Sequence, residues 1–214
     1  MKHYIKTSLL LLLLSMLLPL TAMAYDFVVD GVYYKTDMWD DYAYVSDQGE
    51  DGGHYTGLVT IPVSVTNDDT TYPVTRIGAY AFAESTGLTG VSIPNSVTEI
   101  DDHAFENCSS LAEVVIPSTV TTIGARAFVG CTGLTSIEIP EGVTTIGIWA
   151  FLNCDNLKNV YTHISDPSAI DCRGFLFSLD SEEYSGRTLH VPAGCVNAYK
   201  ESDWSEYFDS IVEL

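Results

Sequence analysis

Residues 120–142, VTTIGARAFVGCTGLTSIEIPEG, are one copy of a sequence repeat whose copies follow one another without insertions. Three further copies adjoin it: VTRIGAYAFAESTGLTGVSIPNS from Val74, VTEIDDHAFENCSSLAEVVIPST from Val97, and VTTIGIWAFLNCDNLKNVYTHIS from Val143. A fixed period of 23 residues is typical of a solenoid, in which each copy is one supersecondary unit that stacks on its neighbours. We therefore expect the repeats to specify a surface rather than a reaction centre.

The first half of each copy predicts a short extended piece, a bend and a buried ring. In residues 120–142, Val120 and Ile123 form the extended piece, and Gly124 follows where glycine favours a tight bend. Ala127 and Phe128 come next and have equivalents in every copy. We interpret them as a short helical turn that places one aromatic ring in the core.

The second half of each copy predicts a β-strand, with Leu134, Ile137 and Ile139 on its inward side and Pro140 at its end. The combined pattern L-x-x-I-x-I-P and V-x-x-I-G-x-x-A-F-x-x-C resembles the BspA-like leucine-rich repeat with a 23-residue unit, over residues 74–164. The resemblance implies an α/β solenoid with a parallel β-sheet on one face and short helical turns. It also implies extracellular or cell-surface interaction, through a pattern whose residues are structural rather than catalytic.

Residues 1–24 predict a secretory signal peptide. Lys2 and Lys6 precede a leucine-rich run, and Ala22-Met23-Ala24 forms a small-residue cleavage site before Tyr25. The run is short for a membrane span, which needs about 20 residues, so a cleaved leader is favoured over an anchor. We expect a secreted or cell-surface protein with no membrane span after cleavage. The sequence does not indicate whether or how it is attached to the cell envelope.

The segments on either side of the repeats predict caps, which a solenoid needs to cover its end units. Residues 25–73 predict a non-repeat β cap, with strands at 27–34, 41–45 and 57–65 and a polar turn at 47–53. Residues 74–164 are the four repeats, and residues 165–214 predict a degenerate last repeat and a helical cap. An amphipathic closing helix is expected from Val196, Tyr199, Trp204, Tyr207 and Phe208.

The formal net charge of −20 disfavours negatively charged binding partners. A strongly acidic surface repels phosphate backbones and anionic lipid, so nucleic acid and membrane surfaces are poor partners.

The five cysteines are an odd number, so they cannot form a complete set of intramolecular disulfides. Cys108, Cys131 and Cys154 share one inward repeat position, which Ser85 occupies in the first copy. Equivalent side chains on paired strands point the same way at about 4.8 Å spacing, which suits free thiols better than bridges. The sequence contains no CxxC motif or histidine pair that would bind zinc, so no structural metal or other cofactor is predicted.

The outward positions of the repeat strands are the first candidate binding surface. They are Thr89, Gly90, Ser92, Ala112, Glu113, Val115, Thr135, Ser136, Glu138, Lys158, Asn159 and Tyr161. Glu113, Glu138, Lys158 and Tyr161 are the distinctive members. The alternative is an ordinary solvated sheet face.

The second candidate is the position just before each Ala-Phe pair, which holds Tyr80, His103, Arg126 and Trp149. We expect this position to face solvent, where aromatic and arginine side chains are enriched at protein interfaces. The alternative is partial packing between adjacent repeats.

Metal binding and catalysis have weaker signals. The acidic residues Asp37, Asp40, Asp41, Asp47, Glu50 and Asp51 leave surface calcium open. The run from Asp47 is not an EF-hand, because Gly49 and Leu58 stand where oxygen ligands are needed. His103 and Cys108 occupy repeat positions that we expect to point in different directions, so no catalytic residue is predicted.

The sequence therefore predicts an exported, non-enzymatic binding protein of adhesion type. An extracellular protein is favoured as the partner, with a glycan as the alternative. A structural or accessory subunit of an envelope assembly is the alternative from a different class. The oligomeric state is not predicted.

Overall fold

The computed structural model describes residues 26–36, 41–47, 54–172, 177 and 186–214. The predicted signal peptide and most of the acidic candidate calcium loop lie outside these residues. The described strands are β1 (Phe27–Val29), β2 (Val32–Thr36), β3 (Ala43–Val45), β4 (Thr56–Thr60), β5 (Ser64–Asn67), β6 (Thr70–Ile77), β7 (Gly87–Ser92), β8 (Glu99–Ile100), β9 (Glu113–Val115), β10 (Thr122–Ile123), β11 (Ser136–Ile139), β12 (Thr145–Ile146), β13 (Asn159–Thr162), β14 (Asp171–Cys172), β15 (Thr188–Val191) and β16 (Ser210–Glu213). The described part also contains α1 (Val196–Lys200) and 3-10 turns at Pro167–Ala169 and Asp203–Tyr207.

Each repeat contributes one strand to each of two parallel ladders. The long ladder consists of the sheets β4-β7-β9 and β11-β13-β15-β16, and the short ladder runs β3-β6-β8-β10-β12-β14. Through the repeats the partners lie one 23-residue unit apart, as Thr98 and Thr75 do. The strands alternate buried and exposed side chains, so their inward rows fill one continuous core. The predicted parallel sheet on one face is confirmed.

The turn between the two ladders differs from the prediction. The Ala-Phe segment is not a helical turn, because left-handed residues stand on either side of it, such as Arg126 and Gly130 with φ of 55° and 71°. This alternation points the N–H groups of Arg126, Phe128 and Gly130 toward carbonyl oxygens of the next repeat, at 3.0, 2.8 and 2.9 Å. The same three bonds recur in the two preceding repeats. The turns therefore form a third hydrogen-bonded ladder, in which all donors face one way.

The predicted column of buried rings is confirmed. Phe82, Phe105, Phe128 and Phe151 are all buried, and their rings stack nearly parallel with centroids 5.1, 5.1 and 5.5 Å apart. Phe177 extends the column at 5.9 Å from Phe151. The guanidinium of Arg187 closes this end, with its Cζ 4.1 Å from the centroid of the Phe177 ring.

The predicted free, inward thiols are also confirmed. Cys108, Cys131 and Cys154 are buried and unbridged. Each Sγ donates a hydrogen bond of 3.0–3.1 Å to the carbonyl oxygen of a core phenylalanine in the preceding repeat. In the first repeat the Ser85 hydroxyl instead accepts a bond from the Tyr55 backbone N–H at 3.1 Å. This position therefore links each repeat to the one before it.

The buried thiols are expected to resist alkylation in the native protein. Burial raises the pKa of Cys108 and of Cys154 to about 12 and raises the pKa of Cys131 well above its ordinary value, so the reactive thiolate is scarce. Iodoacetamide treatment followed by peptide mass spectrometry should label these three only after unfolding. Half-exposed Cys195 should react in the native state and serves as an internal control. Native labelling of Cys131 at the rate of Cys195 would contradict the prediction.

The bends after β6, β10 and β12 hold glycine, because the repeats approach closely there. A Cβ on Gly124 would lie 2.4 Å from the Asp102 backbone nitrogen, and a Cβ on Gly147 would lie 2.3 Å from the Ala125 backbone nitrogen. Asp101 is the exception at this position, and its carboxylate lies 3.6 Å from Arg76. Desolvation by burial raises the pKa of Asp101 from 3.8 to about 6, although Arg76 opposes the shift.

Asp101→Asn is expected to stabilise the protein at pH 7. An acid whose pKa is higher in the folded state binds its proton more tightly there, so its ionised form destabilises the fold above pH 6. The gain at pH 7 should be on the order of 1 kcal/mol and should shrink as the pH falls from about 6 to about 4. Thermal melts of parent and variant across this range test the sign. A variant that melts below the parent at pH 7 would show that the Arg76 contact dominates.

The N-terminal cap contains hairpins that the sequence prediction missed. The strand predicted at 27–34 is two strands, because Asp30 and Gly31 have φ of 50° and 79° and turn β1 back onto β2. Asp68 and Asp69, with φ of 46° and 65°, likewise join β5 to β6. The strand predicted at 57–65 is divided into β4 and β5. Two adjacent left-handed residues are the mark of a tight hairpin turn, and Asp-Gly is its usual sequence.

The C-terminal cap ends in a strand. The predicted closing helix is only α1, which ends at Lys200 and is followed by the 3-10 turn Asp203–Tyr207. The chain then forms β16, which pairs in parallel with β15 and extends the long ladder. Tyr199, Trp204 and Phe208 are buried as predicted. In the part of the chain that the structure describes, no helix is long and apolar enough to span a bilayer.

Candidate binding surface

The strand face consists of the outward side chains of β7, β9, β11, β13, β15 and β16. Eleven of the twelve predicted outward positions are exposed or half-buried, and Gly90 is the exception. Leu58 of β4 pairs with Gly90 and covers it, since a Cβ there would lie 3.2 Å from the Leu58 Cδ1. The prediction that Gly90 faces solvent is therefore wrong.

Four side chains on this face lie in one register across the sheet, and we call them the strand row: Glu138, Tyr161, His190 and Val212. The rings of Tyr161 and His190 stack with centroids 4.3 Å apart, and the His190 Nε2 lies 3.0 Å from the Asn159 Oδ1. Glu138 contacts the His163 Nε2 at 2.5 Å. Hydrogen bonds and stacking thus hold three unlike polar groups in fixed positions.

The sequence prediction included Glu138 and Tyr161 but missed His163, His190 and Val212. His163 stands at the position that proline holds in the other copies, and this exception to the pattern was its only signal. His190 and Val212 follow the segment 165–186, which breaks the 23-residue period. Glu113 and Lys158 are exposed on the same face, and the Lys158 backbone nitrogen bonds to the Thr135 oxygen at 3.0 Å.

The turn row consists of Tyr80, His103, Arg126 and Trp149. The rings of Tyr80 and His103 stack with centroids 4.5 Å apart, and the Arg126 Cζ lies 4.8 Å from the Trp149 ring centroid. Tyr80 is exposed and the other three are half-buried. Tyr80 therefore faces solvent as predicted, whereas the other three members are partly packed between repeats, as the alternative required.

The backbone of the turn row is strained. Tyr80, His103, Arg126 and Trp149 have φ between 55° and 59°, in the left-handed region. Most residues other than glycine cost roughly 1–3 kcal/mol there, whereas glycine adopts this region freely and asparagine, aspartate and histidine tolerate it better than other types. A second left-handed position follows four residues later and holds Glu84, Asn107, Gly130 and Asn153. Tolerant residue types thus predominate at the second position, and bulky ones occupy the first.

The structure does not bring the weaker candidate groups together. His103 Nδ1 contacts the Glu106 carboxylate at 2.6 Å, while Cys108 lies in the core and bonds to the Phe82 carbonyl. Within the described ranges no three histidine, cysteine or acidic side chains converge on a point where a metal ion could bind.

Comparisons with known proteins agree with the fold. The BspA type leucine-rich repeat region matches residues 63–172 in six copies, so the match begins before the four copies quoted above and ends after them. A leucine-rich repeat protein from Bacteroides ovatus is 26% identical over 88% of this chain and 55% of its own, with a TM-score of 0.59. No curated protein matches the sequence.

Two further similar structures belong to a cell-surface protein and to a vaccine antigen. A leucine-rich cell surface protein from Faecalibacterium prausnitzii is 26% identical over 77% of this chain and 54% of its own, with a TM-score of 0.52. The pneumococcal vaccine antigen PcpA resembles the chain in fold alone, at 21% identity over 80% of this chain and 42% of its own, with a TM-score of 0.52. The chain spans about half the length of these structures. Since the family match covers more than half of its residues, the chain belongs to the BspA type leucine-rich repeat family.

Proposed function

We propose that this chain is exported and binds another protein outside the cell through its repeat surface, with the strand row at the centre of the contact. One observation carries the proposal. Glu138, Tyr161 and His190 form an in-register row on the outward face of the sheet, with Glu138 exposed and the two rings half-buried, and stacking and hydrogen bonds hold their side chains. Pre-ordered polar and aromatic groups lose little entropy on binding, which favours affinity. The leader-like residues 1–24 and the cell-surface description of one relative support export.

The shape of the surface supports a macromolecular partner. Small-molecule sites are concave and enclose most of their ligand, whereas the strand face is an open sheet. An open polar cleft of about 330 Å³ does lie between the β1–β2 turn and β4, lined by Asp30, His54 and Thr60 among others. It lies at β4, the first strand of the long ladder, whereas the strand row begins at β11.

A glycan partner is the alternative, and the ring geometry counts against it. Stacking on a sugar needs a free aromatic face. Tyr161 and His190 cover each other on one side at 4.3 Å, and Tyr80 and His103 do so at 4.5 Å. The tyrosine hydroxyl and the imidazole nitrogens are polar groups at ring edges, and such groups together with carboxylates are suited to hydrogen bonding with a protein.

The binding proposal is tested with the purified chain from Tyr25 onward. It is titrated against a panel of purified extracellular matrix and cell-surface proteins by biolayer interferometry, and in parallel on a glycan array. Glu138→Ala with Tyr161→Ala should weaken protein binding at least about tenfold, because interface centres carry most of the energy. Glu141→Ala removes an equal charge beside the face and is the matched control. Binding to glycans alone, or equal loss in the control, would contradict the proposal.

Export is tested separately on the native host. N-terminal sequencing of the protein recovered from the medium or the cell surface should begin at Tyr25. A protein that stays inside the cell and keeps Met1 would contradict export. Recovery only as a stoichiometric member of an envelope complex would favour the accessory-subunit alternative.

A further inference from the structure

The two left-handed positions of each repeat turn share one backbone conformation but carry different residues. At the second position, Asn107, Gly130 and Asn153 are the types that this conformation favours, and Glu84 is the exception. At the first position every repeat instead has a large side chain. Because the backbone requirement is the same, backbone geometry does not explain the turn row.

Packing explains only part of the turn row. Tyr80 is 48% exposed although its ring stacks on that of half-buried His103. Ring-stacking and cation–π contacts between partly exposed side chains are weak, and glycine would remove the strain while asparagine would reduce it. Residues kept in a strained conformation at a surface point to a role in contact with something else.

The surroundings of the row indicate the chemistry of that partner. At its N-terminal end, the Glu106 carboxylate contacts His103 at 2.6 Å, and two further acids lie in the same turns: Asp102 directly precedes His103, and Glu84 follows Tyr80 by four residues. At its C-terminal end, Ile148 is 36% exposed beside Trp149. The chain as a whole has a net charge of −20, which favours a cationic partner. Four repeats at about 4.8 Å spacing make a ridge of roughly 14 Å, which matches four to five residues of extended polypeptide.

We propose that the turn row is the docking site for an extended basic segment of the partner protein. The segment places a lysine or arginine against the acidic end, and an aliphatic or aromatic side chain against Ile148 and Trp149. The proposal rests on the proposed function, since it assumes a protein partner, and it adds the surface and the type of segment.

The test uses a phage-displayed library of random 12-residue peptides as the probe, panned on the chain from Tyr25 onward. Enriched peptides should be basic with one large apolar residue, and each is titrated at low and high salt. Tyr80→Asn with Trp149→Asn should raise the peptide Kd at least about tenfold. The same double variant should melt at or a few degrees above the parent, because asparagine relieves the left-handed strain.

Two controls separate the possible outcomes. Asn153→Gly alters the other left-handed position of the same turn and should leave the Kd unchanged. Glu84→Gln should weaken binding and flatten its salt dependence. The proposal is overturned if no basic peptide is enriched over an equally acidic control protein, if the double variant binds like the parent, or if it melts several degrees lower. Peptide loss on Glu138→Ala with Tyr161→Ala instead would retain the proposed function and reject the turn row.

Discussion

Phe128→Ala is expected to lower the free energy of unfolding by roughly 3–5 kcal/mol. Phe128 is fully buried, and its ring lies between those of Phe105 and Phe151 at 5.1 and 5.5 Å. Both flanking rings belong to repeats that hydrogen bonds hold in register, so the surroundings cannot collapse into the cavity. Denaturant unfolding followed by circular dichroism measures the loss.

Val115→Ala is the matched control for this cavity. It also removes an apolar side chain from a repeat, but Val115 is 64% exposed, so its loss should cost less than about 0.5 kcal/mol. If Phe128→Ala melts within a degree or two of the parent, the ring column does not stabilise the stack.

Gly147→Ala is expected to destabilise the protein by about 1–3 kcal/mol or more, although it adds only one methyl group. The new Cβ would lie 2.3 Å from the Ala125 nitrogen and 2.6 Å from the Ala125 Cα. Both atoms are backbone, and β12, which ends one residue earlier, pairs with β10 in the same neighbouring repeat. The two repeats must therefore separate locally while adjacent hydrogen bonds hold them together. Thermal and denaturant melts detect the loss.

Gly90→Ala makes the same change at a tolerant site. The nearest atom to its new Cβ would be the Leu58 Cδ1 at 3.2 Å, the tip of a side chain that is 73% exposed and can turn away. We expect a change within about 0.5 kcal/mol. Equal destabilisation by the two variants would show that the close approach between repeats is not the cause.

Features shared by all copies could be predicted from the sequence. The buried rings, the inward thiols and the parallel strands recur at a fixed interval, so each copy independently supports the same assignment. The helical turn was wrong because Ala-Phe beside polar residues is compatible with both helix and turn. Asn107, Gly130 and Asn153 at one repeat position were the available signal for a left-handed residue. No such signal exists at the turn row, since its bulky side chains conceal the conformation.

The caps and part of the binding surface could not be predicted because the period fails there. Asp30-Gly31 was a readable hairpin signal that the prediction passed over, whereas Asp68-Asp69 is a less usual one. The strand row combines two repeats with two strands that follow the irregular segment 165–186. Counting forward by 23 residues from Tyr161 does not reach its partner His190. Only the pairing in three dimensions brings these side chains together.

The turns form a hydrogen-bonded ladder in which all donors face one way, and this direction determines how repeats can be added to or removed from the stack. Each repeat offers donors such as the N–H groups of Arg126 and Phe128 on one side, and accepts at carbonyls such as that of Ala125 on the other. A copy of the unit can therefore join the stack in a single orientation, and it then recreates the same interface for the next copy. Duplication or deletion of whole units keeps the backbone hydrogen-bond pattern of the junctions, whereas gain or loss of part of a unit does not. Length variation in whole repeats thus preserves the backbone ladder, and the two ends of the stack remain chemically distinct at every length.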